Sequence, residues 1–135
     1  MRDGLTEKMK ARRQRTDLSE YLGAYRPKLV VLSGNDAGVD YPINRERCII
    51  GRGPGVDFPF NDTAMSRQHA AIDFASGVFR IQDLGSTNGL RVNGNPVQSC
   101  EIEHGDQIEV GSLGFQFVID ELEDSPNTYE LTAEI

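Results

Sequence analysis

From Lys28 onward the apolar residues of this chain fall in short runs that alternate with polar positions, the period of β-strands rather than of helices. Lys28-Leu29-Val30-Val31-Leu32 is rich in β-formers, Gly34 to Gly38 is a turn cluster, and Val39 to Ile43 resumes the strand pattern. Glu46 to Gly51 follows and delivers Arg52 at its end, where Gly53-Pro54-Gly55 stops any ladder. His69 to Phe74 and Val78 to Gln82 are joined by Ala75-Ser76-Gly77. Leu90-Arg91-Val92 and Pro96-Val97 flank Asn93-Gly94, a dipeptide that favours a type I′ hairpin turn. Beyond the Gly105-Asp106 turn come Gln107 to Val110 and Leu113 to Ile119, with Phe115, Phe117 and Ile119 facing inward. About ten short strands with such frequent turns predict an all-β sandwich.

The ends read differently. Residues 1 to 26 predict a basic leader, with five basic residues between Lys8 and Arg15. Leu18, Tyr21, Leu22 and Tyr25 suggest one short helix, capped by Thr16 or Asp17 and ended by Gly23. Residues 27 to 119 are the expected sandwich domain. Residues 120 to 135 carry six acids and no base, an acidic C-terminal tail.

Charge sharpens this division. The net −7 of the 135 residues hides a basic start and an acidic remainder: after Lys28 there are six arginines, no lysine and seventeen acids. A domain so acidic lacks the basic surface that nucleic acid requires. No apolar run approaches membrane-spanning length, and no apolar segment follows the basic start as in a secretory signal. Cys48 and Cys100 stand far apart outside any metal-ligand cluster, so no metal or cofactor is expected. Two reduced, half-buried thiols point to the cytoplasm.

Against that acidic background the polar clusters between strands stand out. Gly51-Arg52, Ser66-Arg67-Gln68-His69, Gly85-Ser86-Thr87-Asn88-Gly89 and Asn93-Gly94 follow one another from residue 51 to residue 94. Guanidinium, hydroxyls, an amide and glycines on loops suit an oxyanion such as phosphate. In this order and at these spacings, the motifs resemble those of a forkhead-associated (FHA) domain. The Gly105-Asp106-x-Ile108-x-Val110-Gly111 stretch is also similar to that family's closing strands.

The resemblance implies a two-sheet antiparallel β-sandwich of the FHA/SMAD-like type that binds phosphothreonine peptides in Ser/Thr kinase signalling. By that resemblance Arg52, Ser66 and Arg67 hold the phosphate. Asn88 bonds the peptide backbone, and Thr87 helps form a slot for the threonine methyl. His69 supports the loop from beneath, while Gly51, Gly85 and Gly89 provide backbone turns. Ala64, small and uncharged, and the residues around Asn95 suggest an aliphatic residue three positions after the phosphothreonine.

Two other readings stay open at the level of sequence. One is a structural or oligomerising module that keeps the fold without phosphate-dependent binding. The other is a hydrolase using Ser66, His69 and Asp83, although Ser66 lies in no nucleophile elbow. In the tail, Thr128-Tyr129-Glu130-Leu131 and Thr132-Ala133-Glu134-Ile135 repeat a T-x-E-aliphatic unit. Alternating Tyr129, Leu131, Ala133 and Ile135 fit a strand at a sheet edge. Phosphorylated at Thr128 or Thr132, the same units would offer the domain a ligand within its own chain, or in a second copy.

Overall fold

A computed structural model of the protein describes residues 17–122. Among these residues eleven short strands form two sheets that enclose one core, as the alternating pattern predicts. The first sheet has the order β2-β1-β11-β10-β7-β8, built from Asp40–Pro42, Tyr25–Val31, Leu113–Glu121, Gln107–Val110, Leu90–Val92 and Asn95–Pro96. The second has the order β4-β3-β5-β6-β9, built from Phe58–Pro59, Arg47–Gly51, Ala70–Ala75, Val78–Asp83 and Ser99–Ile102. All pairings are antiparallel except β3 with β4, where Ile50 lies opposite Phe58 and Gly51 opposite Pro59.

Alternation puts one face of each strand into the core. From the first sheet come Leu29, Val31, Ile108, Val110, Phe115 and Phe117; Ile50, Ile72, Phe74, Phe79 and Ile81 meet them from the second. Phe79 packs edge-on to Phe117 with ring centroids 5.2 Å apart, and Phe60 meets Phe115 at the same separation. Ile119, expected inward, is half-buried at the margin of this cluster.

The short helix α1 (Leu18–Leu22) closes one side of the sandwich. Asp17 caps it by accepting from the Glu20 amide at 2.9 Å, and Gly23 ends it. Leu18 is buried, and the Tyr21 ring lies 5.1 Å from Phe74 and 5.4 Å from Phe79. The helix therefore packs against the core. Thr16, the other expected cap, lies outside the described residues.

Three local differences from the sequence reading have physical causes. β1 begins at Tyr25 rather than Lys28, because β11 continues to Glu121 and pairs with it residue by residue. The hairpin closes one residue earlier than Pro96-Val97: Val92 faces Asn95 across Asn93 (φ 53°) and Gly94 (φ 85°). That two-residue loop fits the expected type I′ turn. Strand β9 had no clear sequence signal, since Ser-Cys-Glu-Ile is mixed and exposed at alternate positions; pairing with β6 makes it a strand.

Both cysteines are free thiols, Cys48 buried in the core and Cys100 half-buried. The expectation of two half-buried thiols thus holds for Cys100 only. Among the described residues no helix is long and apolar enough to cross a membrane.

Candidate functional site

Three loops meet at one end of the sandwich: 52–57 after β3, 60–69 between β4 and β5, and 84–89 between β6 and β7. Backbone pairing brings the first two together. The Arg52 amide donates to the Ser66 carbonyl at 3.0 Å, and the Gly53 amide donates to the Arg67 carbonyl at 3.1 Å. Arg52 and Ser66-Arg67 are thereby held side by side although more than a dozen residues separate them.

This approach depends on two glycines. A Cβ at Gly51 would stand 2.0 Å from the Arg67 carbonyl oxygen, and one at Gly53 would stand 2.8 Å from the Arg67 Cβ. Gly51 lies in β3 and has no positive φ. Its role is close backbone approach, which corrects the expected turn. Gly85 (φ 76°) and Gly89 (φ 85°) do take the left-handed conformation of turns.

Arg52 is exposed but not loose. Its Nε donates to the Met65 carbonyl at 2.9 Å, which fixes the guanidinium plane and leaves its two terminal nitrogens. The company it lacks is more informative. Arg45, Arg47, Arg80 and Arg91 each lie within ion-pair distance of a carboxylate. Among the described residues no carboxylate pairs with Arg52 or Arg67. In an acidic domain two unneutralised, neighbouring arginines are a ready anion site.

Ser66 precedes Arg67 and pairs with Arg52 through its carbonyl, and its hydroxyl accepts from the Thr87 amide at 3.1 Å. A hydroxyl that is already an acceptor still has its proton to give. Asn88 donates from its side-chain amide to the Ala64 carbonyl at 2.7 Å, tying the third loop to the second. Its side-chain oxygen remains available as an acceptor.

His69 is fully buried beneath these loops. The Ser66 amide donates to its Nδ1 at 3.0 Å, so the ring proton sits on Nε2, which donates to the Gly89 carbonyl at 2.7 Å. One imidazole thus joins the second and third loops through their backbones.

Two carboxylates shape the loops: Asp83, which the sequence reading placed only in the hydrolase alternative, and Asp62, which it did not single out. Asp83 accepts from the Gly85 and Ser86 amides at 3.1 and 3.0 Å and from the Ser86 hydroxyl, which in turn accepts from the Gly89 amide at 2.8 Å. Asp62 accepts from the Ala64 amide at 3.1 Å, the Ser112 amide at 2.8 Å and the Ser112 hydroxyl at 2.9 Å. Desolvation pushes the Asp62 carboxyl up, but these hydrogen bonds together hold it below the ordinary carboxylate value. An acidic residue beside a run of Ser, Gly or Ala was the available signal, since such residues cap turns.

The same bonds dismantle the hydrolase constellation. Nδ1 of His69 is occupied by the backbone of Ser66, Nε2 by Gly89, and Asp83 by Ser86 and Gly85. Ser66, His69 and Asp83 therefore form no relay.

The profile of the FHA domain family matches residues 48–111. The oxoglutarate dehydrogenase inhibitor of Corynebacterium glutamicum is 33% identical over 100 residues, covering 74% of this chain and 70% of that relative. The chain belongs to the FHA domain family.

Glycogen accumulation regulator GarA of Mycolicibacterium smegmatis is 34% identical over 90 residues, which is 67% of this FHA chain and 57% of GarA. The match thus spans little more than half of that relative. A solved structure from work on phosphothreonine-dependent FHA domain interactions superposes with a TM-score of 0.66 at 34% identity, covering 72% of this chain and 99% of that one. EmbR of Mycobacterium tuberculosis in complex with a low-affinity phosphopeptide gives 0.65 at 26% identity, covering 78% of this chain and 26% of EmbR.

Proposed function

We propose that this FHA domain is a phosphothreonine-peptide binding module that mediates phosphorylation-dependent protein–protein interaction in Ser/Thr kinase signalling. The observation that carries the reading is the pair Arg52 and Arg67, free of carboxylates among the described residues of an acidic domain and joined through the backbone of Ser66-Arg67, whose serine hydroxyl has a proton to donate. A phosphorylated threonine brings about −1.5 to −2 charges and three acceptor oxygens. Arg52 meets one face of it with its terminal nitrogens, Ser66 donates to a second oxygen, and Arg67 adds positive charge from an exposed position.

Asn88 sits where its free side-chain oxygen and remaining N–H can bond an extended peptide backbone. Beside it, Thr87 contributes to a slot for the threonine methyl. A methyl-sized slot discriminates by roughly 1–3 kcal/mol, which favours phosphothreonine over phosphoserine. His69, Gly51, Gly85 and Gly89 hold the loops and stay out of contact with the ligand. In this reading the protein binds and does not catalyse, works in the cytoplasm, and needs neither metal nor cofactor.

We further propose that the tail supplies a ligand of its own. Thr128 and Thr132 lie outside the described residues. Phosphorylation at either would let the tail occupy the site within one chain, at high effective concentration, or join two copies.

The test of the main reading is a calorimetric titration with phosphorylated and unphosphorylated forms of one threonine peptide. Micromolar binding of the phosphorylated form, about −8 kcal/mol, is expected. Equal binding of the two forms would leave a fold without phosphate-dependent recognition.

A further inference from the structure

Beside the recognition loops, at the same end of the sandwich, lies a groove of about 400 Å³. It runs between the β1–β2 turn, the 60–69 loop and the β10–β11 turn. Val31, Phe60 and Leu113 form an apolar floor, and Asn35, Asp36 and Asn61 form a polar rim. The Asp62 carboxylate at its margin already accepts three hydrogen bonds from Ser112 and Ala64. Asp36 is different: it is exposed, and among the described residues no ion pair engages its carboxylate.

The groove and the phosphate site share the 60–69 loop, whose Phe60, Asn61 and Asp62 line the groove. The Met65 amide donates to the Asp62 carbonyl at 2.9 Å, closing a tight turn whose first residue, Asp62, lines the groove. The Ala64 carbonyl on that turn takes the Asn88 amide, and the Met65 carbonyl takes Arg52. A turn of this kind spans under about 7 Å, and one further Cα step of about 3.8 Å reaches Ser66. An extended peptide advances about 3.3 Å per residue, so about three residues cover the distance.

We propose that this groove takes a lysine or arginine of the phosphopeptide, about two to four residues from the phosphothreonine on the side that passes over the 62–65 turn. The shape fits such a side chain. An aliphatic stem lies on Phe60 and Leu113 while the cationic head stays at the wet rim beside Asp36. The side-chain oxygens of Asn35 and Asn61 accept its remaining N–H groups. Charge favours it as well, since a chain of net −7 that binds a dianion gains from a cation on the ligand. A favoured lysine at the third residue after the phosphothreonine would replace the aliphatic preference expected there from Ala64 and the residues around Asn95.

The proposal rests on the phosphothreonine reading, and its test separates the two. In a neutral alanine-based phosphothreonine peptide, one lysine is walked from five residues before the phosphothreonine to five after it. Binding to the full chain and to Asp36→Asn is read by fluorescence anisotropy at low and high salt. One lysine position should tighten binding about three- to fivefold, the range of an exposed ion pair, and salt should erode that gain. Asp36→Asn should remove the gain and leave the neutral peptide unchanged. Binding of the neutral peptide with no favoured lysine position, or a gain that survives Asp36→Asn, overturns the groove and leaves the phosphate site standing. If no phosphorylated peptide binds at all, both readings fall.

Discussion

The Nε2–H of His69 donates to the carbonyl of Gly89 at 2.7 Å, across twenty residues of sequence and from inside the core. With the Ser66 amide on its Nδ1, this ring is the point where two recognition loops are fastened to the sandwich. A buried group that satisfies two backbone partners leaves both stranded when it is removed.

His69→Ala should therefore lower stability as well as affinity. A cavity plus two unsatisfied backbone groups should cost about 3 kcal/mol. That corresponds to a melting temperature lower by about 10–20 °C in a domain of this size. Thermal melts of His69→Ala beside Asn88→Ala check this, because Asn88 is exposed and its loss should reduce affinity with little change in melting. A His69 variant that melts normally yet fails to bind would put the ring in direct contact with ligand.

Arg52→Ala should weaken phosphopeptide binding by about 2–5 kcal/mol, since it strands the phosphate beside Ser66. The melting temperature should hardly move, because among the described residues the exposed Arg52 side chain makes a single hydrogen bond, to the Met65 carbonyl. Calorimetry and thermal melts on one preparation separate the two effects.

Gly51→Ala should damage the site without touching a charged group. The added Cβ meets the Arg67 carbonyl at 2.0 Å, and backbone cannot swing away as a side chain would. Overpacking of this kind costs about 1–3 kcal/mol or more. Urea unfolding should show the loss, with phosphopeptide affinity falling in parallel as Arg52 and Arg67 are pushed apart.

Acid should loosen the loop that carries Ala64 and Ser66. Asp62 has a folded-state carboxyl below its ordinary value, so its contribution is fully present above the unfolded-state value and is lost as pH falls through the folded one. Urea midpoints measured from pH 6 down to pH 2.5 should decline across that window. In Asp62→Asn the decline should be shallower, from a lower starting stability.

The tail proposal has a direct test. Full-length protein phosphorylated at Thr128 or Thr132 should bind an external phosphothreonine peptide more weakly than a chain ending at Glu123. Equal binding by both, with both monomeric, would rule out tail occupancy.

The sequence alone determined the strand pattern, because a period of two is set by the pleat and needs no knowledge of partners. It also determined the turns at Asn93-Gly94, Gly85 and Gly89, where local backbone chemistry decides. Motif order carried the family. Other features were settled only by packing. β9 is a strand because β6 offers it a ladder, and its own residues argue for nothing. Gly51 is required because the Arg67 carbonyl passes 2.0 Å from where its side chain would be, a distance no local pattern encodes. Likewise, a serine, a histidine and an aspartate in one stretch are compatible with a relay. Only the folded hydrogen bonds assign His69 to Ser66 and Gly89 backbone, and Asp83 to the Ser86 turn. Local conformation is written in neighbouring residues; which polar groups satisfy one another is decided when distant loops meet in a common, nearly dry space.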